Sequence, residues 1–151
     1  MRGVRPRSPG NSRRRTRSTR THDQESPMTC ITGVHHASLL VRDTETSLKF
    51  YRDLLGLSVD SKRPDLGYPG AWLQAGNQQV HLMELPNPDP SQGRPEHGGR
   101  DRHIALSVSD VDQIGRRLTE AGLPYTLSRS GRKALFCRDP DENALEFVEV
   151  M

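Results

Sequence analysis

HIALSVSD at His103–Asp110 repeats, with changes, HASLLVRD at His36–Asp43, 67 residues earlier. Both stretches begin with histidine, continue with apolar residues on alternate positions, and end on an aspartate that can cap a helix. The likeness continues beyond each aspartate. Leu48, Tyr51, Leu54 and Leu55 fall at helical spacing after the first; Val111, Ile114, Leu118 and Ala121 do so after the second. Gly56 and Gly122 then stop the two helices, because glycine takes the left-handed cap at little cost. Three short strands are expected after each glycine: 57–60, 71–75 and 79–84 in the first half, and 125–127, 133–137 and 144–150 in the second. A hairpin turn at Gly76-Asn77 and a tight turn at Asp139-Pro140-Asp141 separate the last two of each set. The chain from Ile31 therefore reads as two β-α-β-β-β modules, about 31–85 and 103–150, an α+β fold.

The alternation selects four side chains. Successive residues of a strand point to opposite faces. In the strand from His103, residues Ile104, Leu106 and Val108 form the apolar face that must meet the helix, so His103 points the other way. His36 opposes Ala37, Leu39 and Val41; His81 opposes Val80 and Leu82; Glu146 opposes Leu145 and Phe147. The two members in each module are 45 and 43 residues apart. Two modules that each offer two such donors can close around one metal ion, so His36, His81, His103 and Glu146 are the expected ligands. Imidazole and carboxylate suit one divalent ion, Zn, Ni, Mn, Co or Fe. His35, Glu84 and Glu149 are out of phase and read as structural or solvent-facing; His97 in a loop and His22 near the start have no evident partner. Trp72, Phe136 and Tyr68 could line a groove, although Trp72 and Phe136 suit a core as well.

Residues 1–27 differ from the rest. They hold eight arginines, two acidic residues and almost nothing apolar, and read as a disordered Arg/Ser-rich tail. The remainder carries fourteen basic and seventeen acidic residues, so the overall net charge of +3 belongs to the tail. A nucleic-acid role for the tail is not expected, since charge runs are usually solvated. No run of about 18 apolar residues argues for a membrane span. Two cysteines, Cys30 and Cys137, make no disulfide framework, which suits a reducing, cytoplasmic setting; both are expected to be inert. The linker PNPDPSQGRPEHGGRDR, residues 86–102, is long, and its prolines and glycines disfavour regular structure. It reads either as a rim or lid over a site or as a simple connection.

HHASLLVRDTETSLKFYRDLLGL, RHIALSVSDVD and FCRDPDENALEFVE together resemble the vicinal-oxygen-chelate superfamily, which contains glyoxalases, extradiol dioxygenases and bleomycin-resistance proteins. The resemblance extends over about residues 31–150 and places a glyoxalase-like domain at 28–151. It implies paired modules curving into a half-open barrel around a metal, with ligands from the first and last strands of each module. It also implies a homodimer and a small-molecule substrate. The implied activity is that of a metal-dependent lyase or isomerase that chelates two neighbouring substrate oxygens and moves a proton, with Glu146 and His81 as catalytic groups. The alternatives are a ferrous-iron dioxygenase, in which His36, His103 and Glu146 hold the metal and His81 acts as acid–base group, and a ligand- or antibiotic-binding protein without catalysis. Lactoylglutathione lyase has glutamate where this chain has His81 and arginine where it has Leu40, which counts against glutathione-hemithioacetal chemistry. Glu142 replaces the glycine usual in the last turn, a change expected to be harmless.

Overall fold

The computed structural model describes residues 30–151, of which Gly33–Met151 form one compact unit. The tail reading and His22 fall outside the described residues. The elements run in chain order as β1 (His36–Val41), α1 (Thr44–Leu48) continuing into a π-helical turn (Lys49–Leu54), β2 (Ser58–Val59), β3 (Gly70–Ala75) and β4 (Gln78–Glu84). The second module comprises β5 (His103–Val108), α2 (Val111–Glu120), β6 (Tyr125–Leu127), β7 (Ala134–Arg138) and β8 (Ala144–Glu149). The strands form two four-stranded sheets, ordered β1-β4-β3-β2 and β5-β8-β7-β6. In each sheet the module's first strand runs parallel to its last, and the other pairs are antiparallel. These are mixed sheets that do not close into a barrel.

Both helices start on the aspartate expected to cap them. The Asp43 carboxylate accepts from the Thr46 amide at 2.7 Å and Asp110 from the Gln113 amide at 2.9 Å. Both stop at a glycine of positive φ, +85° at Gly56 and +69° at Gly122. The first helix widens at its end, where the Leu55 amide donates to the Phe50 carbonyl.

One hydrophobic core joins the modules. Val41, Leu48, Tyr51, Leu73, Val80 and Leu82 from the first pack in one cluster with Ile114, Leu118, Leu135, Leu145 and Phe147 from the second. Of the strand residues among them, Val41, Val80, Leu82, Leu145 and Phe147 are those the alternation assigns to the helix-facing side, and those on helices belong to the expected apolar stripes. Polar contacts tie the modules further. The buried Tyr51 hydroxyl donates to the Asp139 carboxylate at 2.8 Å, and the Asn143 side-chain amide donates to the Leu40 carbonyl at 3.1 Å. Arg117 of α2 donates to the Leu54 and Leu55 carbonyls at the end of the first helix. Burial raises the Asp139 pKa, opposed by hydrogen bonds from Asn143 and Tyr51; burial and the neighbouring Asp139 raise that of Tyr51.

Candidate metal centre in two halves

The face of each sheet opposite the core carries the four expected donors, as two pairs. His36 enters at the start of β1 and His81 lies on the neighbouring strand β4, opposite Ser38 on one side and Trp72 on the other. The His81 ring is sandwiched, 4.2 Å from the His36 centroid and 4.6 Å from that of Trp72, nearly parallel to both. Gln79 fixes which nitrogen of His81 is free. The Gln79 side-chain NH₂ donates to Asp60 at 2.8 Å, so its carbonyl oxygen faces His81 Nε2 at 2.9 Å and accepts from it. The Nδ1 lone pair is left over. Burial, then the positive potential of His36 and His35, lowers the His81 pKa, which favours the neutral imidazole that metals require.

The second pair stands on the other sheet. His103 opens β5, and Glu146 projects from β8 opposite Ala105 and Phe136. His103 Nδ1 lies 2.8 Å from the Asp101 carbonyl, which can only accept, so Nδ1 carries the proton. In the neutral ring, Nε2 then offers a lone pair to the Glu146 carboxylate oxygen Oε2, 3.2 Å away. Two acceptors facing each other need a proton or a cation to reconcile them. The other carboxylate oxygen, Oε1, is buried without a hydrogen-bond partner, in a side chain only 5% exposed; its nearest cation is the Arg132 guanidinium, 3.8 Å away and beyond hydrogen-bond distance. A buried anionic oxygen that no hydrogen bond satisfies is costly, and an exposed guanidinium at that distance offsets only part of the cost. This donor set fits a divalent cation.

Asp101 connects the second pair to the linker. Its carboxylate sits between the guanidinium groups of Arg94, at 2.8 Å, and Arg138, at 2.9 Å. The hydrogen bond from Arg94, with a further one from Arg138, brings the Asp101 pKa down to about 2. Arg138 also donates to the carbonyls of Pro95 and Glu142. The linker is thus anchored where it reaches His103, and it contains a short 3-10 turn, Gly98–Arg100, where proline and glycine argued against regular structure.

Several residues have roles that phase alone does not disclose. Phe136 and Trp72 are absent from the core cluster. Phe136 is buried, lies edge-on to His103 at 5.3 Å and lines a cavity beside it, while Trp72 lies flat on His81. Tyr68 instead sits beneath the Arg63 guanidinium. His97 packs on Phe136 at 5.0 Å, accepts from the Gly99 amide and contacts the Leu127 carbonyl, which makes it a rim residue of the second half. His35 is exposed, 2.8 Å from His36 through their Nδ1 atoms. Cys137 is buried, its thiol pushed up to about 12 by burial and by Asp139, so it is unreactive.

Among the described residues no three His, Cys, Asp or Glu side chains stand close enough to hold a metal. One chain presents His36 with His81, and His103 with Glu146, as separate halves.

Residues 33–147 match the Glyoxalase/Bleomycin resistance protein/Dioxygenase superfamily. The chain belongs to that family. It is similar to lactoylglutathione lyase from Haemophilus influenzae, 29% identical over 76% of this chain and 90% of that one. It is also similar to the uncharacterized protein YaeR of Escherichia coli K12, 31% identical over 77% of this chain and 95% of that one. Among solved structures, TnmS3, an antibiotic binding protein from Streptomyces sp. CB03234, superposes with a TM-score of 0.60 at 21% identity, covering 82% of this chain and all of that one. One fold thus carries both an enzyme and an antibiotic-binding protein, so the fold alone does not decide the function. Among the described residues no helix is long and apolar enough to cross a membrane.

Proposed function

We propose that this protein is a metal-dependent lyase or isomerase that chelates two neighbouring oxygens of a small substrate and moves a proton between carbons or oxygens beside them. The observation that carries the proposal is the second half-site. His103 Nε2 faces the Glu146 carboxylate at 3.2 Å, while the second Glu146 oxygen is buried with no hydrogen-bond partner. His36, His81, His103 and Glu146 would hold the ion. A divalent metal supplies Lewis acidity, which stabilises negative charge developing on a chelated oxygen. The remaining work belongs to the chain. Glu146 accepts and returns the proton at Oε1, the carboxylate oxygen that no hydrogen bond engages. Trp72, flat on His81, and Phe136, edge-on to His103, would give the substrate an aromatic wall at each half. Since the halves lie apart within a chain, the site in this reading forms between two copies, with His36 and His81 of one meeting His103 and Glu146 of the other in a homodimer.

One observation favours a dioxygenase as the second reading. His81 has a neutral ring, a hydrogen bond only to Gln79 and no carboxylate at its side. It could serve as a proton donor or acceptor while His36, His103 and Glu146 hold ferrous iron.

Metal content by elemental mass spectrometry, with the protein purified without chelator, tests both readings. The parent should carry about one metal per chain. His103→Ala should lose at least tenfold in metal affinity and His35→Ala should lose none. Iron would favour the second reading, and zinc, nickel, cobalt or manganese the first. A parent that takes up no metal after reconstitution would leave a ligand-binding protein as the function.

A further inference from the structure

The arginines of the folded unit are almost all paired. Arg42, Arg52, Arg94, Arg102, Arg116 and Arg138 each meet a carboxylate. Arg63 and Arg117 donate to backbone carbonyls. Among the described residues the side chains of Arg100 and Arg129 have no acceptor, and both line the same cavity. Arg132 lines it too, held only loosely, 3.3 Å from Ser130 Oγ and 3.8 Å from Glu146 Oε1.

The cavity has a volume of about 310 Å³ and reaches His103 and Glu146, the second half of the metal centre. The arginines come from two separate segments. Arg100 ends the 3-10 turn of the linker, while Arg129 and Arg132 lie on the loop between β6 and β7. That loop also brings the Ser128 and Ser130 hydroxyls within 2.9 Å of each other at the cavity wall. Three guanidinium groups against the one carboxylate of Glu146 leave the lining with an excess of two positive charges, counting histidines as neutral. Like charges gathered in one concavity repel, and focus their field on whatever enters it. Guanidinium groups present paired N–H donors that match the oxygens of phosphate-type anions.

We propose that this cavity is a subsite for a doubly charged oxyanion, a phosphate-type group carried by the substrate. Arg100 and Arg129 are the specificity-determining residues and the two serine hydroxyls add hydrogen bonds. Arg132 stands between the anion and Glu146, which keeps the two negative groups apart. The assignment rests on the proposed metal centre for its meaning: a substrate anchored here presents its neighbouring oxygens toward His103 and Glu146. The anion subsite itself can be measured with no metal present.

The test is calorimetric titration of inorganic phosphate into the full chain after the metal has been removed by chelation. Saturable binding near one phosphate per chain is expected. The double variant Arg100→Ala/Arg129→Ala should weaken it at least tenfold, while Arg116→Ala, whose partner is Asp110, should leave it unchanged. Both cavity arginines are exposed, so the double variant should keep the parent's urea unfolding midpoint. Acetate, the carboxylate probe, should bind at least tenfold more weakly than phosphate. The arginine-rich residues 1–27 will attract phosphate in every variant alike, so the difference between variants is the readout. No saturable binding, equal binding by the double variant, or acetate as tight as phosphate would overturn the proposal. Metal uptake measured on the same preparations separates the two ideas. Uptake with no phosphate response removes the subsite alone; a phosphate response lost in the double variant, in a protein that takes up no metal, supports the subsite and removes the metal centre.

Discussion

Glu142 has a backbone φ of +67°, a value that costs a side-chain-bearing residue about 1 kcal/mol relative to glycine. The turn it occupies places Asn143 and Asp139, which in turn hold Leu40 and Tyr51, so the conformation is imposed by contacts to the first module. From the sequence, replacing the usual glycine there reads as harmless. The structure shows a residue tolerating strain, with partial compensation from its carboxylate 3.5 Å from Arg138. Glu142→Gly should therefore raise the free energy of unfolding by about 0.5–1 kcal/mol, read as a higher urea midpoint at unchanged slope. A lower midpoint would mean that the Arg138 contact outweighs the strain. At this scale the sheet face that carries His36, His81, His103 and Glu146 was legible because strand phase is a strict period of two. The free arginines were not, because whether an arginine is paired depends on residues remote in sequence: Arg94 and Arg138 converge on Asp101, and no pattern in the linker predicts it.

The elements repeat more faithfully than their residue types suggest. Glu84, at the end of β4, accepts from both the Thr44 amide at 2.8 Å and the Thr44 hydroxyl at 2.7 Å, at the start of α1. Glu149, at the end of β8, accepts from the Val111 amide at 2.9 Å, at the start of α2. The last strand of each module thus satisfies an amide that the first turn of its helix leaves open. Both glutamates are out of phase with His81 and Glu146, and pointing toward the helix is what makes them caps. Periodicity could give the side of the sheet but not the partner, since each partner lies 38 or 40 residues away. Glu84→Ala should destabilise the fold by about 1–2 kcal/mol, with metal content per folded chain unchanged, and Glu84→Gln, which keeps an acceptor oxygen, should recover part of it. A fall in metal content in step with stability would mean that Glu84 belongs to the site. The other strand ends differ by no more than a residue from expectation, but the first strand, which alternation allows from Ile31, begins only at His36, because an edge strand's limits are set by its neighbour β4 rather than by its own composition.

Across the whole molecule, the two-module architecture was legible from the repeat, but the distribution of the site was not. Donors at equivalent places in two repeats suggest one cluster; within a chain they are two pairs. A site shared between copies makes a definite demand. Chains carrying His36→Ala and chains carrying His103→Ala, each metal-deficient alone, should form mixed dimers in which one site collects both lesions and the other none. Mixed dimers isolated by two affinity tags should hold about half the parent's metal. Mixed dimers without metal would place all four ligands of a site in one chain.

Tyr51 and Asp139 carry a last consequence. The hydroxyl belongs to the first module, the carboxylate to the second, and both are nearly inaccessible to solvent. Cut at the linker, each fragment would retain one member of the pair beside an opened apolar surface. The repeat therefore describes how the chain is written, while its cooperative folding unit is the pair. Two halves that look interchangeable on paper have become lock and key to one another, and neither can be grafted, deleted or exchanged as a cassette without its companion.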